Sequence, residues 1–335
     1  MEIVLYNPDQ QSNAATHALT VAANNVAPAS TPKPFIEANT IEGSLAELRQ
    51  QHIIPVFCRD NEPLISQADF IESTQEIVHR AYAAERILSP SVRLSHPIKG
   101  RVPEARNKPA NELQEWEKTI YYERMAFIIE VPTISDTIDG ERLSLSIGGV
   151  KAYNLDNLNG RKGTEEHFKI FIGFKVSVCT NLCVWSDGFT YDIKVKGLEQ
   201  LKLAIYHLVH SFDAITNLKK MESLQHYCLT ERQFAQLIGR CRLYQHLPNG
   251  IKQQTPEMQF GDAQVNAVCR DYYKDNSFCR DEQGDINLWR LYNLFTAANK
   301  QSYIDTFLDR AVNASTFTGE LAHALEHKGS NWFLG

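Results

Sequence analysis

Nowhere does the chain carry the roughly 18 uninterrupted apolar residues of a membrane-spanning helix, and its first residues, MEIVLYNPDQ, lack a cationic leader and a continuous apolar segment. The expectation is a cytoplasmic protein with no membrane partner. Charge of one sign is scarce as well: a net charge of −6 over 335 residues supplies no global field to attract nucleic acid or acidic membranes. Any such binding needs a local patch. Cysteine is sparse and odd in number, with Cys58, Cys179, Cys183, Cys228, Cys241, Cys269 and Cys279 scattered over a long chain, which does not read as a disulfide framework. Nucleophile elbow, zincin pattern, Rossmann fingerprint, Walker motif, EF-hand loop and internal repeat are all missing. The sequence names no reaction, and it implies no cofactor and no bound metal.

What is present is globular, with hydrophobic residues at 43% and charged residues at 22%. The centre of the chain is His167 to Val195, where two β-branched and aromatic runs bracket the turn-like Ser186-Asp187-Gly188, the pattern of two strands joined as a hairpin. Phe168, Ile170, Ile172, Phe174, Val176 and Val178 alternate with Lys169, Phe171, Lys175 and Ser177. One face is apolar and the other mixed, as in a sheet with one face on a core.

Taken in order, Glu2 to Tyr6 offers a short strand, and Asn7 to Pro34 has too few large apolar groups to pack; residues 1–34 read as a flexible arm. From residue 35 to 335 the composition reads as a single α+β domain, sheet-rich over 120–196 and helical over 198–328. Leu45 to Gln51 predicts a short helix, His52 to Cys58 a strand interrupted by Pro55, and Ser66 to Leu88 a helix stopped by Ser89-Pro90. Arg93 to Arg124 opens as a long Pro-shaped loop and turns helical from Asn111. Met125 to Val131 and Leu143 to Val150 are strands, linked by turns such as Asp139-Gly140 and most simply antiparallel. Beyond Gly197, Leu201, Ile205, Leu208, Phe212 and Ile215 mark one long helix. Thr230 with Gln233 has capping-box spacing, and further stripes follow at Val265, Val268, Cys269 and Tyr272, at Leu288, Leu291, Tyr292 and Phe295, and at Ile304, Phe307 and Leu308. Strands first and helices later predict an antiparallel sheet packed with a mainly helical C-terminal half.

Four groups of residues invite a chemical reading. Lys99, Arg101, Arg106 and Lys108 form the strongest local basic run, with Trp116, Tyr121 and Tyr122 nearby for base stacking; basic and aromatic groups together suit single-stranded nucleic acid. The competing reading is a solvated loop whose cations pair with Glu112, Glu115, Glu117 and Glu123. Arg161 and Lys162 in Asn159-Gly160-Arg161-Lys162-Gly163 make a second, weaker basic loop. Cys179 and Cys183 are spaced to share a zinc, but no second short-spaced pair completes four ligands, which makes buried structural cysteines the simpler reading; His207 and His210 sit one turn apart without matching acids. Asp305 and Asp309 are one helical turn apart and could hold Mg²⁺, or pair with a basic side chain on the helix face.

The segments HPIKGRVPEARNKPANELQEWEKTIYYERMAF, LSIGGVKAYNLDNL, FKIFIGFKVSVCTNLCVWSDGF, QFAQLIGRCRLYQHLP and INLWRLYNLFTAANKQSYIDTFLDR closely resemble the bacterial family called domain of unknown function 3871. More faintly, FKIFIGFKVSVCTNLCV followed by a long helix resembles the phage and plasmid family called domain of unknown function 932. These resemblances imply a mobile-element or phage-like setting and transfer no activity to any residue. The expected function is a mobile-element accessory protein binding single-stranded nucleic acid through the basic loop. The alternatives are a metal-dependent phosphodiesterase-type enzyme and a non-catalytic factor that binds a protein partner of a mobile element.

Overall fold

A computed structural model describes residues 34–51, 65–156 and 165–335. The arm expected at the N-terminus, up to residue 33, the strand expected at His52 to Cys58 and the basic loop expected around Arg161 and Lys162 lie outside the described residues. The described chain opens with strand β1 (Thr40–Gly43) and helix α1 (Leu45–Gln51), then α2 (Gln67–Ala81), β2 (Ser91–Ser95), β3 (Ile98–Arg101) and β4 (Lys118–Tyr121). Next come β5 (Arg124–Ile138), β6 (Glu141–Ala152), β7 (Glu166–Val176), β8 (Leu182–Cys183) and β9 (Phe189–Val195). Helices fill the remainder: α3 (Leu198–Ser211), α4 (Ala214–Ser223), α5 (Glu231–Tyr244), the single turn α6 (Asn249–Lys252), α7 (Asp262–Lys274), α8 (Leu288–Asn299) and α9 (Ile304–His327). Between them the short strands β10 (Cys228–Leu229) and β11 (Ile286–Asn287) pair with each other. The fold is α+β.

Seven strands form one antiparallel sheet in the order β1-β2-β5-β6-β7, with β8 and β9 both paired to β7. Its longest ladder, β5 with β6, is closed by Asp139-Gly140, both at positive φ, the backbone that a two-residue hairpin of this twist requires. The sequence reading ends this strand at Val131, ahead of Pro132, which cannot donate to a ladder. Instead the register shifts between Val131 and Ser135, so Pro132 sits in a bulge and the strand continues to Ile138. The central hairpin also differs in detail: β7 stops at Val176, Val178 is exposed, and Ser186-Asp187-Gly188 joins the two-residue β8 to β9. Both then complete the same side of β7.

The sheet is covered on both faces, against the expectation of one. On the first face Phe127, Ile129, Leu145, Ile147, Phe168, Ile170, Ile172 and Phe174 belong to a large core shared with Phe70, Ile71 and Val78 of α2 and Leu201 and Ile205 of α3. On the second, Ala126, Ile128, Val150, Ala152 and Phe171 pack with Ile304, Phe307, Leu308, Ala311 and Val312 of α9. The face that reads as mixed is therefore buried, because its cations are neutralised in place. Lys169 reaches Asp309 of α9 at 2.6 Å and the Asp305 carbonyl at 2.8 Å, while Lys175 pairs with Glu130.

Helix boundaries follow local chemistry. Ser66 and Asp69 form a reciprocal capping box that starts α2, and the helix ends at Ala81 rather than Leu88: the Tyr82 amide closes the last turn on Val78, and the Leu88 amide donates to Glu130 of β5. The long helix expected after Gly197 is two helices. Asp213 accepts from the Thr216 amide and hydroxyl, capping α4 and leaving Ile215 exposed. Thr230 and Gln233 do form the capping box of α5. Helix α8 is buried nearly all round, with Leu288, Trp289, Leu291, Tyr292, Leu294 and Phe295 inside, and so forms the centre of the helical half.

Gly148 and Gly149 in β6 are required by close approach. A Cβ on Gly149 would lie 2.5 Å from both the Phe70 ring and the Lys169 carbonyl oxygen, because Phe70 is seated over Gly149 edge-on to Phe127 and Phe168, at 5.1 and 5.0 Å. Gly149→Ala is expected to cost about 1–3 kcal/mol by overpacking. Gly239→Ala, in the interior of α5 where a Cβ meets nothing within 4 Å, is expected to stabilise by roughly 0.5–1 kcal/mol. Urea unfolding of the two variants checks the opposite signs.

Candidate functional site

Two places concentrate polar chemistry, an exposed ribbon and a buried lysine. The ribbon is the excursion between β2 and β5, whose strands β3 and β4 pair antiparallel with Ile98 opposite Tyr121, Lys99 opposite Ile120, Gly100 opposite Thr119 and Arg101 opposite Lys118. The helix expected from Asn111 is absent. In its place are the single turns Ala110–Glu112 and Glu115–Glu117 and then β4, and a further turn, Pro103–Ala105, lies in the preceding loop; Pro103 and Pro109 set two of the turns through their fixed φ. Glu117 holds the excursion together: its buried carboxylate accepts from Lys108 on one limb and from the Gln114 amide at 2.8 Å on the other. Both contacts favour the ionised form, and they hold its pKa below the ordinary carboxylate value.

Against this geometry the expected nucleic-acid residues separate. Lys99, Arg101 and Arg106 are exposed; the Arg101 guanidinium donates to the Lys108 carbonyl, and Lys108 is committed to Glu117. Trp116 is 71% exposed. Tyr121 packs against the Tyr153 ring at 5.7 Å. Tyr122 is a core residue, 2% exposed, whose hydroxyl donates to Glu47 at 2.7 Å; burial and that carboxylate push its pKa up to about 12. Its place in the core rules it out as a stacking platform. Sequence reading missed Lys118, because a segment read as helical from Asn111 gives no cross-strand neighbours. Strand register sets it directly across from Arg101, and alternation puts Lys99 on the same face. Its exposed ion pair with Glu115, at 2.5 Å, neutralises that cation only weakly.

The buried cluster lies at the ends of β6 and β7. Lys151, with no exposed surface, donates to Asp156 at 2.8 Å and Glu166 at 3.1 Å, and its ammonium sits 4.1 Å from the centre of the Phe168 ring. The carboxylates are themselves held: Asp156 accepts the His167 amide at 2.8 Å, and Glu166 the Ile65 amide at 3.1 Å. Beside them the Tyr153 phenol is raised well above its usual pKa, first by burial and then by the neighbouring Glu166. Lysine, two acids and a tyrosine resemble a catalytic set by residue type. Enclosure makes them a charge clamp for the backbone.

The remaining candidates are also engaged. Asp309 pairs with Lys169, and Asp305 lies 3.8 Å from Arg124, so both acids face cations of the sheet rather than forming a two-acid cation site. Among the described residues no three metal-ligating side chains cluster. Cys183 is buried beneath the Tyr292 phenol, and burial raises its thiol pKa well above normal; Cys179 is pushed to about 11 for the same reason. The six cysteines among the described residues are all unbridged. His210 donates from Nδ1 to the Tyr206 carbonyl, 2.9 Å away, and stacks on the Tyr206 ring.

Fold and site together define an α+β protein built on an antiparallel sheet buried on both faces, with a charged two-stranded ribbon inserted between two paired strands. The chain belongs to the family described as "Domain of unknown function, B. Theta Gene description (DUF3871)", whose model matches residues 16–334. No curated protein and no solved structure matches the chain. Nothing found supports the fainter likeness to domain of unknown function 932. Among the described residues no helix is long and apolar enough to cross a membrane.

Two measurements follow from the charge contacts. Lys151→Ala leaves two carboxylates buried without their cation and is expected to cost about 3–5 kcal/mol in chemical denaturation. Glu117 is depressed in the folded state, so its stabilisation of the ribbon is present above the ordinary carboxylate pKa and is lost as pH falls through the lowered value. Amide exchange over residues 98–121, corrected for intrinsic rate, should quicken in acid in the wild type. In Glu117→Gln it should already be fast at neutral pH.

Proposed function

We propose that the protein is a non-catalytic binding factor and that the Lys99, Arg101 and Lys118 face of the ribbon takes an anionic chain. The observation that supports this is Arg101 directly opposite Lys118, since like charges at facing positions of an antiparallel pair destabilise it unless a counter-charge is supplied. A ligand anion meets that need. Single-stranded nucleic acid is one such chain, but with Tyr122 buried and Tyr121 packed on Tyr153, Trp116 is the exposed ring left for stacking. Acidic polypeptide is the other. A binding factor of either kind is compatible with the mobile-element setting that the family resemblance suggests.

Binding of labelled oligothymidine and of polyglutamate, followed by anisotropy across a salt series, tests the reading. Affinity should fall as salt rises, by about 0.7 counterion released per neutralised phosphate on a single strand. Arg101→Ala and Lys118→Ala should each reduce the slope of log affinity against log salt, and Arg101→Glu should abolish binding. If neither polyanion binds at low ionic strength, the reading is wrong.

A further inference from the structure

We propose that β3 captures an extended acidic peptide by strand addition, an inference that rests on the anion-binding reading above and specifies its partner. The argument starts from the backbone. The Val102 amide donates to the Glu117 carbonyl at 2.9 Å, so these facing residues are a hydrogen-bonded pair. In an antiparallel ladder such pairs alternate with non-bonded ones. Register then makes Gly100 with Thr119 and Ile98 with Tyr121 bonded pairs, and turns the N–H and C=O groups of Lys99 and Arg101 away from β4. All four residues of β3 are exposed, and among the described residues no backbone group bonds to that outer edge.

A strand laid along this edge would pair with Lys99 and Arg101 through its main chain. Its residues facing those two would project their side chains onto the face that already carries Lys99, Arg101 and Lys118, and the residue between them would fall on the side of Ile98, which is half exposed. The complementary partner is an extended segment with acids at alternate positions and an apolar residue between. A polyphosphate matches the charges without using the four outward backbone groups. Between Ile98 and Tyr121 there are five cations and four carboxylates, a balance too even to draw in a polyanion by field alone. Directed pairing fits that balance better. The opposing possibility is that Lys99 and Arg101 guard an open edge against self-association.

The experiment uses the full chain and two fluorescein-labelled peptides of equal composition, one alternating glutamate with valine and one with the glutamates in a block. The alternating peptide should bind about ten-fold more tightly, since it alone sets an acid opposite both cations in one register. Lys99→Pro removes one outward N–H at an edge position where proline is tolerated. It should weaken the alternating peptide beyond the loss seen in Lys99→Ala. If Lys99→Pro does not fold, slowed amide exchange at Lys99 and Arg101 of the wild type on adding the peptide gives the same answer. Equal affinity for both peptides, or oligothymidine binding with no protection of those amides, would overturn strand addition and leave the anion-binding reading standing. Failure of every polyanion to bind would remove both. Self-association of Lys99→Ala without peptide binding to the wild type would identify the cations as edge guards and overturn the proposal.

Discussion

A lysine with no exposed surface has to find its counter-charges inside the protein, and Lys151 finds two that lie at the ends of different elements. Asp156 follows β6, Glu166 begins β7, and the second oxygen of Glu166 reaches the Ile65 amide just ahead of the α2 cap. One ammonium thus fixes three chain segments. Desolvating three charges is expensive, and it is compensated because the carboxylates accept backbone N–H groups and the ammonium faces the Phe168 ring. The position of α2 follows from it. With its start tethered, Phe70 is delivered over Gly149, where only a residue without a side chain leaves room for the ring.

The second face of the sheet is organised by a milder version of the same constraint. Lys169 and Lys175 alternate with apolar residues on β7, a spacing that by itself describes a solvent-facing side. Residues 136 to 140 positions away decide otherwise, because Asp309 and the Asp305 carbonyl on α9 cap Lys169 while Phe307, Leu308 and Ala311 cover Ala126, Ile128 and Phe171. Alternation reveals which residues share a face. It does not reveal whether a distant helix carries the acids that let the mixed face be buried.

The same boundary separates what was legible elsewhere. Elements governed by neighbours in the chain could be read directly: the α5 capping box, the Asp139-Gly140 turn, the apolar alternation of β7 and the succession of strands then helices. Elements governed by pairing could not. The strand from Met125 reads as ending at Val131 until β6 shows that Pro132 occupies a bulge, and Lys118 to Tyr121 reads as helical until β3 supplies a partner strand. At the candidate site, four cations were legible as a run, but their division was not. Lys108 is spent on Glu117, Tyr122 belongs to the core, and Lys118 joins Lys99 and Arg101 only through register.

This division explains how a chain with a net charge of −6 can present a cationic face at all. The ion pair within the ribbon neutralises Lys108 with the buried Glu117 and leaves Lys99, Arg101 and Lys118, the last paired only with the exposed Glu115, on one side of a two-stranded support. That support is inserted between β2 and β5, which are themselves paired from Leu94 with Met125 onward, so both ends of the excursion leave from facing positions of a fixed sheet. The anchoring limits the motion of the ribbon at its base, while its tip is closed mainly by Glu117. A partner strand meeting β3 therefore encounters charges whose spacing is already set by the ladder, and it spends little conformational freedom of the protein in binding. Such pre-organisation lets a short edge of four residues serve as a recognition element where a flexible basic loop of the same composition would give only weak, register-free attraction.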